Sequence, residues 1–413
     1  MHIPKLVKIR QRFDDRHVGD VEKAVRDEFA RSAVKIPEGA RIAVAVGSRG
    51  IDGIDRIVKT VVQCVRERGG APFIIPAMGS HGGATAEGQR KVLEGYGITE
   101  EYTGAPIMSS METVELPRGD LPNSVYYDKF AYEADGTVII NRIKPHTSYH
   151  AAYESGLIKM SVIGLGKHKA ALEIHSYGVY GLKELMPATA RQVLKHGNII
   201  AGLAIVENAY DRAMAVRMLK PEEFEEEEPK LLKLSYENMP RLPVNLLDVL
   251  VVDEMGKNIS GLGMDPNVIG RLKIRGEPEP QKPVITNIVV ADLTEETRGN
   301  AAGMGLADFT TRKLFEKIDF RATYENVLTS TFTERGKVPI IADNAALAVE
   351  YAIRTCRLKK PGSARIARIR NTLRLDELYV SSAAFDDLMC REGIEIIGDF
   401  ADMFMEDGTL APF

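Results

Sequence analysis

Short apolar runs, glycine-rich turns and amphipathic segments alternate through the first part of the chain. Residues 41–47 (RIAVAVG) read as a buried strand, and apolar residues then recur at helical spacing from Ile54 to Val65. A second strand-like run follows at 71–77, and a second helical segment covers about 85–95. Repeated strand–loop–helix units predict a parallel sheet covered by helices, because parallel strands need crossover connections.

The alternation resumes in the second half of the chain. Apolar runs at 246–254 and 284–293 predict buried strands, and 340–356 contains a predicted helix. Between the two halves, residues 126–134 and 137–144 read as two strands. We therefore predict an α/β protein with two α/β domains, mostly parallel sheets and an active-site cleft between the domains. The predicted domains are 1–243 and 244–413, and the last residues could pack back on the first domain.

The net charge and the hydropathy of the chain limit which kinds of molecule the protein is expected to bind. With 54 basic and 58 acidic residues the formal charge is −4, which argues against a general nucleic-acid binder. No apolar run approaches the ~20 residues of a membrane span, and the N-terminus has no apolar signal core. We therefore expect a cytoplasmic protein with a small-molecule partner and with neither nucleic acid nor membrane, and we leave a homo-oligomer open. The acidic run 222–228 (EEFEEEE) is interpreted as the solvated face of a helix.

Cysteine usage limits the kind of metal site. Cys64, Cys356 and Cys390 are far apart and form no C-x-x-C pair. This spacing argues against a thiolate metal site and against a disulfide framework. A transition metal would need histidine or carboxylate ligands, or a ligand that is not protein.

Histidines cluster in the first half, and several follow predicted strands. His81 lies in GSHGG after the strand at 71–77, His146 follows the strand at 137–144, and His150 comes four residues later. Imidazole exchanges protons near neutral pH and binds metals, and ligands of parallel sheets bind beside the carboxyl ends of strands. These histidines are therefore candidates for a site. A helix-capping role is the alternative for His81, and one of the other two could be structural.

Cationic side chains near these histidines in the sequence suggest that the candidate site binds an anion. Lys159 lies in the apolar run GLIKMSVIGLG, where a lysine must snorkel, pair or be functional. Arg49 follows the first strand, and a guanidinium suits a carboxylate or phosphate. Lys257 and Asn258 occupy the corresponding loop of the second domain and are expected to face Arg49 and His81 across a cleft. These residues alone fit proton transfer on an acidic substrate, and also metal-assisted hydrolysis.

The order and spacing of these motifs resemble the nickel-dependent lactate racemase family, with its wider set of 2-hydroxy-acid racemases and epimerases. In this sequence Arg49 precedes His81 by 32 residues, and Pro145-His146 leads to the segment SGLIK at 155–159. His175 lies sixteen residues after Lys159. The match extends over about 40–180, and the two-domain layout agrees beyond it.

The resemblance implies a lactate racemase-like isomerase that inverts a 2-hydroxy acid by hydride transfer to and from a cofactor. The cofactor would be nickel in pyridinium-3,5-bisthiocarboxylic acid mononucleotide, the nickel pincer nucleotide. Lys159 would attach to it, and His175 would be the protein ligand of nickel. His81 and His146 would be the acid–base pair. The remaining implied contacts are Arg49, Gly47 and Ser48 for the cofactor, and Arg49, Lys257, Asn258 and His150 for the substrate.

Several alternatives stay open. The interval from His146 to Lys159 is longer than in the family, so His150 could be the second base instead. A zinc- or iron-dependent hydrolase or lyase could use His81, His146 and His175 together. A third alternative is a non-catalytic binder of the nickel nucleotide. The substrate could be lactate, malate, a sugar acid or another hydroxy acid.

Overall fold

The computed structural model describes residues 3–48, 50–386, 388 and 393–413. Arg49 and Cys390 therefore lie outside the described residues. The strands are, in chain order, β1 (Leu6–Gln11), β2 (Arg41–Val46), β3 (Ala71–Pro76), β4 (Thr113–Leu116), β5 (Val125–Asp128), β6 (Gly136–Arg142), β7 (Ile199–Glu207), β8 (Ala213–Leu219), β9 (Leu246–Met255), β10 (Val284–Leu293), β11 (Phe309–Thr311), β12 (Ile340–Ala342), β13 (Ile366–Ile369), β14 (Glu377–Ser381) and β15 (Ile394–Ile396).

Helices alternate with these strands. Among the helices in the described ranges, none combines the length and the apolar character that a bilayer crossing requires. The α-helices are α1 (Val21–Arg31), α2 (Ile54–Glu67), α3 (Ala86–Gly95), α4 (Glu100–Thr103), α5 (Lys129–Tyr132), α6 (Leu157–Lys159), α7 (Lys167–Ser176), α8 (Gly178–Tyr180), α9 (Met186–His196), α10 (Phe224–Asn238), α11 (Pro266–Ile269), α12 (Arg312–Glu316), α13 (Phe320–Ser330), α14 (Ala345–Thr355) and α15 (Ser382–Phe385).

The chain divides into two compact units. Unit N is Asp14–Met239, and unit C combines Met1–Phe13 with Pro240–Phe413. Unit N contains a five-stranded sheet in the order β3-β2-β6-β7-β8. Its first four strands are parallel, and β8 runs antiparallel to β7. The strands read as continuous apolar runs because helices cover this sheet, and the side chains of Ile57, Val61 and Val65 of α2 are fully buried against it.

Unit C contains an eight-stranded sheet in the order β12-β11-β10-β9-β13-β14-β1-β15. The strands from β12 to β13 are parallel, and β14, β1 and β15 add antiparallel pairs. β1 pairs with β14 from Leu6 opposite Ser381 to Arg10 opposite Glu377. The sequence-based division between residues 243 and 244 places β1 in the N-terminal domain. In the structure β1 belongs to unit C, because its partner strands lie near the C-terminal end of the chain.

The predicted fold class is confirmed: the protein is α/β with mostly parallel sheets. The expected strands at 41–47, 71–77, 246–254 and 284–293 correspond to β2, β3, β9 and β10. The prediction of one long strand at 126–134 was wrong, since β5 ends at Asp128 and its carboxylate caps α5 by accepting from the Ala131 amide. The interpretation of the acidic run as a solvated face was wrong for Glu228, which is fully buried in α10.

Candidate functional site

Two loops of unit N meet just beyond the carboxyl ends of the neighbouring strands β2 and β3. Val46 and Pro76 are paired at the ends of these strands. The hydroxyl of Ser48 hydrogen-bonds Nδ1 of His81 across the two loops. The Tyr96 hydroxyl donates to the Ser48 carbonyl over 2.7 Å. Tyr96 directly follows α3, so this bond ties the first loop to the end of that helix. The parallel register of the sheet thus brings Ser48 and His81 together, although 33 residues separate them.

Both loops pack against the turn that follows Lys159. A Cβ atom built on Gly47 would lie 3.7 Å from Cε of Met160. One built on Gly79 would lie 3.0 Å from Cγ2 of Ile163, and Gly79 also has a φ of +59°, which favours glycine. The glycines before Ser48 and His81 therefore allow the two loops to approach the lysine segment closely.

Lys159 and His175 lie on consecutive helical segments. α6 ends at Lys159 and continues as one π-helical turn, Met160–Gly164, before α7 carries the chain to His175. Burial, and after it the positive charge of Lys159, lower the pKa of His175 to about 4. His175 is therefore neutral at neutral pH, which is the form of histidine that binds metals.

His146 lies in a loop that two backbone hydrogen bonds close at its base. Lys144 and Ser155 donate to each other over 2.9 and 3.2 Å. The backbone amide of His146 donates to Oε2 of Glu154 over 2.6 Å. The Ser148 amide donates to Nδ1 of the His146 ring over 3.0 Å, so the neutral ring carries its proton on Nε2. The carboxylate of Glu154 thus fixes the backbone of His146, and Ser148 fixes its tautomer.

His150 belongs to the same network but is more exposed. Its Nδ1 lies 2.6 Å from the Tyr236 hydroxyl and 3.4 Å from Oε1 of Glu154. The Tyr236 hydroxyl also donates to Oε1 of Glu154 over 2.9 Å. The side chain of Glu154 is 1% exposed. This buried carboxylate therefore contacts both His146 and His150, the two candidates for the second base. Sequence reasoning missed Glu154 and Tyr236, because neither lies at the end of a predicted strand.

Asn141 connects the central strand to the lysine segment. It is the penultimate residue of β6, and its side-chain amide donates to the carbonyl of Gly156 over 2.8 Å. Its Oδ1 would lie 3.3 Å from a Cβ atom on Gly47. The loops that follow β2, β3 and β6 carry Ser48, His81 and His146, and the chain after β6 continues to α6 and α7, which carry Lys159 and His175.

The predicted substrate residues Lys257 and Asn258 follow β9 in unit C. Nζ of Lys257 donates to the Gly261 carbonyl over 2.6 Å and contacts the side-chain oxygen of Asn326. Oδ1 of Asn258 accepts from the Thr294 hydroxyl over 2.7 Å. Their expected position opposite His81 stays a prediction, as do the roles of Arg49, which lies outside the described residues.

A three-histidine metal site finds no geometric support. Within 3–48, 50–386, 388 and 393–413, no three or more His, Cys, Asp or Glu side chains converge as a group that could hold a metal ion. The alternative with His81, His146 and His175 as joint ligands of zinc or iron requires such a group.

Comparisons with known proteins address the fold. The model of a domain of unknown function, DUF362, matches residues 54–220. A search of curated proteins by sequence found no match. Among solved structures, that of a protein from Thermotoga maritima is similar at a TM-score of 0.50 and 14% identity, covering 86% of this chain and 97% of that chain. The lactate racemase apoprotein from Thermoanaerobacterium thermosaccharolyticum is similar at a TM-score of 0.52 and 13% identity, covering 89% of this chain and 98% of that chain. The chain therefore has the fold of lactate racemase apoprotein.

Proposed function

We propose that this protein is a racemase or epimerase of a 2-hydroxy acid and works with a nickel pincer nucleotide. The observation that carries the proposal is the placement of Lys159 and His175 on successive helical segments joined by a π-helical turn. The two residues are sixteen positions apart, as the family resemblance requires, and the charge of Lys159 contributes to the low pKa of His175. The shared fold with lactate racemase apoprotein supports the proposal independently.

The donor set around His175 fits such a cofactor. A neutral imidazole offers one nitrogen to a metal, and nickel accepts imidazole ligands. Lys159 would contribute the amine through which a covalent link to that cofactor could form. When bound, the nickel nucleotide would supply the acceptor and donor of hydride, which side chains cannot provide.

His81 is the better placed of the two proposed bases in this conformation. Its Nδ1 is paired with the Ser48 hydroxyl, which can either donate or accept. The ring can therefore adopt the tautomer with the proton on Nδ1, and Nε2 can then accept the hydroxyl proton of the substrate. Ser48 acts in this scheme as the group that steadies the imidazole while it gains and loses a proton.

His146 requires a further step before it can act as a base at Nε2. The Ser148 amide donates to Nδ1, so Nε2 already carries the proton of the neutral ring. This ring can donate a hydrogen bond from Nε2 to the substrate oxygen. For Nε2 to accept a proton, the ring must first change to the tautomer that is protonated on Nδ1. That tautomer cannot keep the hydrogen bond from the Ser148 amide. We propose that this loop rearranges during inversion, since each enantiomer needs its own base.

The carboxylate of the substrate needs cationic or amide partners. Arg49 remains our proposal for this contact, and Lys257 and Asn258 are proposed to contribute from unit C. Gly47 and Ser48 are proposed as backbone contacts of the cofactor, because their loop packs beside Met160. His150 is proposed to contact the substrate, and it stays the alternative to His146 as second base.

Racemisation by single variants tests the proposal. The protein would be produced in a host that makes the cofactor, and single enantiomers of lactate, malate and sugar acids would be followed by chiral chromatography. We expect His81→Ala and His146→Ala each to lower racemisation by about 10²–10⁴-fold, the usual effect of losing a general base. His150→Ala should lower racemisation less than either of these changes, because His150 is proposed only to contact the substrate.

Two results would contradict the assignment. Full activity in His146→Ala together with loss in His150→Ala would move the second base to His150. A wild-type protein that carries nickel but inverts none of the hydroxy acids would favour a non-catalytic binder of the nucleotide.

A further inference from the structure

Glu228 is a buried carboxylate beside the lysine segment, and no role in the reaction has been assigned to it. It lies in α10, and its side chain is fully buried. Its Oε2 accepts a hydrogen bond of 2.9 Å from the backbone amide of Ile158, the residue before Lys159. Burial raises the pKa of Glu228 to about 7, and bonds from the amides of Ile158 and Leu157 partly oppose this rise. Burying a carboxyl group costs free energy unless its polar atoms are hydrogen-bonded, so a role for its contact with the lysine segment is expected.

Gly156 is shaped to receive this carboxylate. A Cβ atom on Gly156 would lie 2.2 Å from Oε1 of Glu228, well inside contact distance. Oε1 has no hydrogen-bond partner in the described part of the chain. The carboxylate therefore fits against the glycine on one side and the Ile158 amide on the other. Any side chain at 156 would displace it.

The same helix holds the preceding loop at two further points. The Tyr153 hydroxyl donates to the backbone carbonyl of Glu225 over 3.1 Å. The Tyr236 hydroxyl donates to Glu154 over 2.9 Å. α10 therefore supports the chain from Tyr153 to Ile158, immediately before Lys159, through contacts spread along its length.

We propose that Glu228 is a positioning residue for Lys159. Its carboxylate holds the Gly156–Ile158 backbone through the Ile158 amide, and this fixes where the lysine amine lies relative to His175. The role rests on the proposed function, in which that amine links to the cofactor beside the nickel ligand. The contact itself belongs to the protein without cofactor, so it can be tested without turnover.

The test uses the full-length protein without cofactor. Glu228→Leu removes the acceptor at similar volume, Glu228→Gln keeps an acceptor oxygen, and Glu226→Leu is the control on the same helix at a side chain that is 76% exposed. Two rates would be measured: hydrogen exchange of the Ile158 amide, and modification of Lys159 by trinitrobenzenesulfonate, located by peptide mapping. Loss of the acceptor for the Ile158 amide should raise both rates about tenfold in Glu228→Leu. Glu228→Gln and the control should stay within about twofold of wild type.

Gly156→Ala gives a second route if Glu228→Leu does not fold. The added methyl should displace the carboxylate and raise both rates as Glu228→Leu does. Wild-type rates in a folded Glu228→Leu or in Gly156→Ala would overturn the proposal, and so would a Gln variant that behaves like Leu. Because neither rate needs a hydroxy acid or nickel, failure of the proposed function alone would show as absent racemisation while both rates still rise in Glu228→Leu.

Discussion

His175 stays uncharged at neutral pH because of where it lies in the fold. Burial is the larger cause of its low pKa, and the charge of Lys159 adds to it. A histidine that must ligate a metal benefits from this, since no proton has to leave before the metal binds. The lysine thus has two roles in the proposal: it offers an amine to the cofactor, and it keeps the imidazole neutral.

The low pKa of His175 has a consequence for stability without cofactor. Its pKa is about 4 in the folded protein and ordinarily 6.5, so the unfolded chain binds the proton more readily as pH falls below 6.5. We expect the free energy of unfolding to drop by about 1–2 kcal/mol from this group between pH 7 and pH 5. Urea unfolding at both pH values measures it. His175→Gln should lack this part of the loss, and an equal loss in the variant would contradict the assigned pKa.

Some residues of the candidate site could be recognised from the sequence, and others could not, for a physical reason. His81 and His146 stand out because each follows an apolar run that predicts a strand end. Glu228 could not be recognised, since it closes a run of glutamates whose other members have the ordinary look of a solvated helix face. Its burial depends on the packing of α10 against the lysine segment, which no local pattern encodes.

π-helical turns flank the helix that carries His175. Met160–Gly164 precedes α7, and Gly181–Leu185 follows the short α8. Each π-turn inserts extra backbone into the helix and rotates the residues that follow it to a different face. Such turns are frequent at functional sites. The apolar spacing of 156–166 predicts only a buried segment, because one extra residue per turn disrupts the helical period. The first of these turns lies between Lys159 and His175 and so affects how the two side chains are placed along the chain.

A buried ion pair fixes the start of α7. Nζ of Lys167 lies 2.7 Å from Oδ2 of Asp128, and both side chains are almost fully buried. The same ammonium donates to the carbonyl of Pro76, at the end of β3. One lysine thus connects α7 to the ends of β3 and β5, below the loop that carries His81.

Removing one partner of this pair should be costly. Lys167→Met leaves the Asp128 carboxylate buried without its cation, and we expect the free energy of unfolding to fall by about 3–5 kcal/mol. Lys167→Met combined with Asp128→Asn removes both charges and keeps the cap of α5, so it should recover a large part of the loss. Urea unfolding of the two variants compares them. Equal stability of wild type and Lys167→Met would contradict the structural role of the pair.

At the scale of the whole molecule, the alternation of strands and helices was enough to predict an α/β protein, and the fold match with lactate racemase apoprotein agrees. The antiparallel part of unit C was not predicted. β1 is a single short strand whose partners, β14 and β15, lie at the opposite end of the chain. Pairings of this kind depend on tertiary packing, whereas parallel neighbours follow from repeated local units.

We propose that Lys159 and His175 together hold a nickel-bearing nucleotide. Intact-mass spectrometry and nickel analysis test it on wild type, Lys159→Ala and His175→Ala purified from a host that makes the cofactor. We predict a mass increase mapped to Lys159 together with bound nickel in the wild type, no adduct in Lys159→Ala, and loss of nickel from His175→Ala. Nickel retained in His175→Ala, or an adduct mapped to another residue, would contradict the claim.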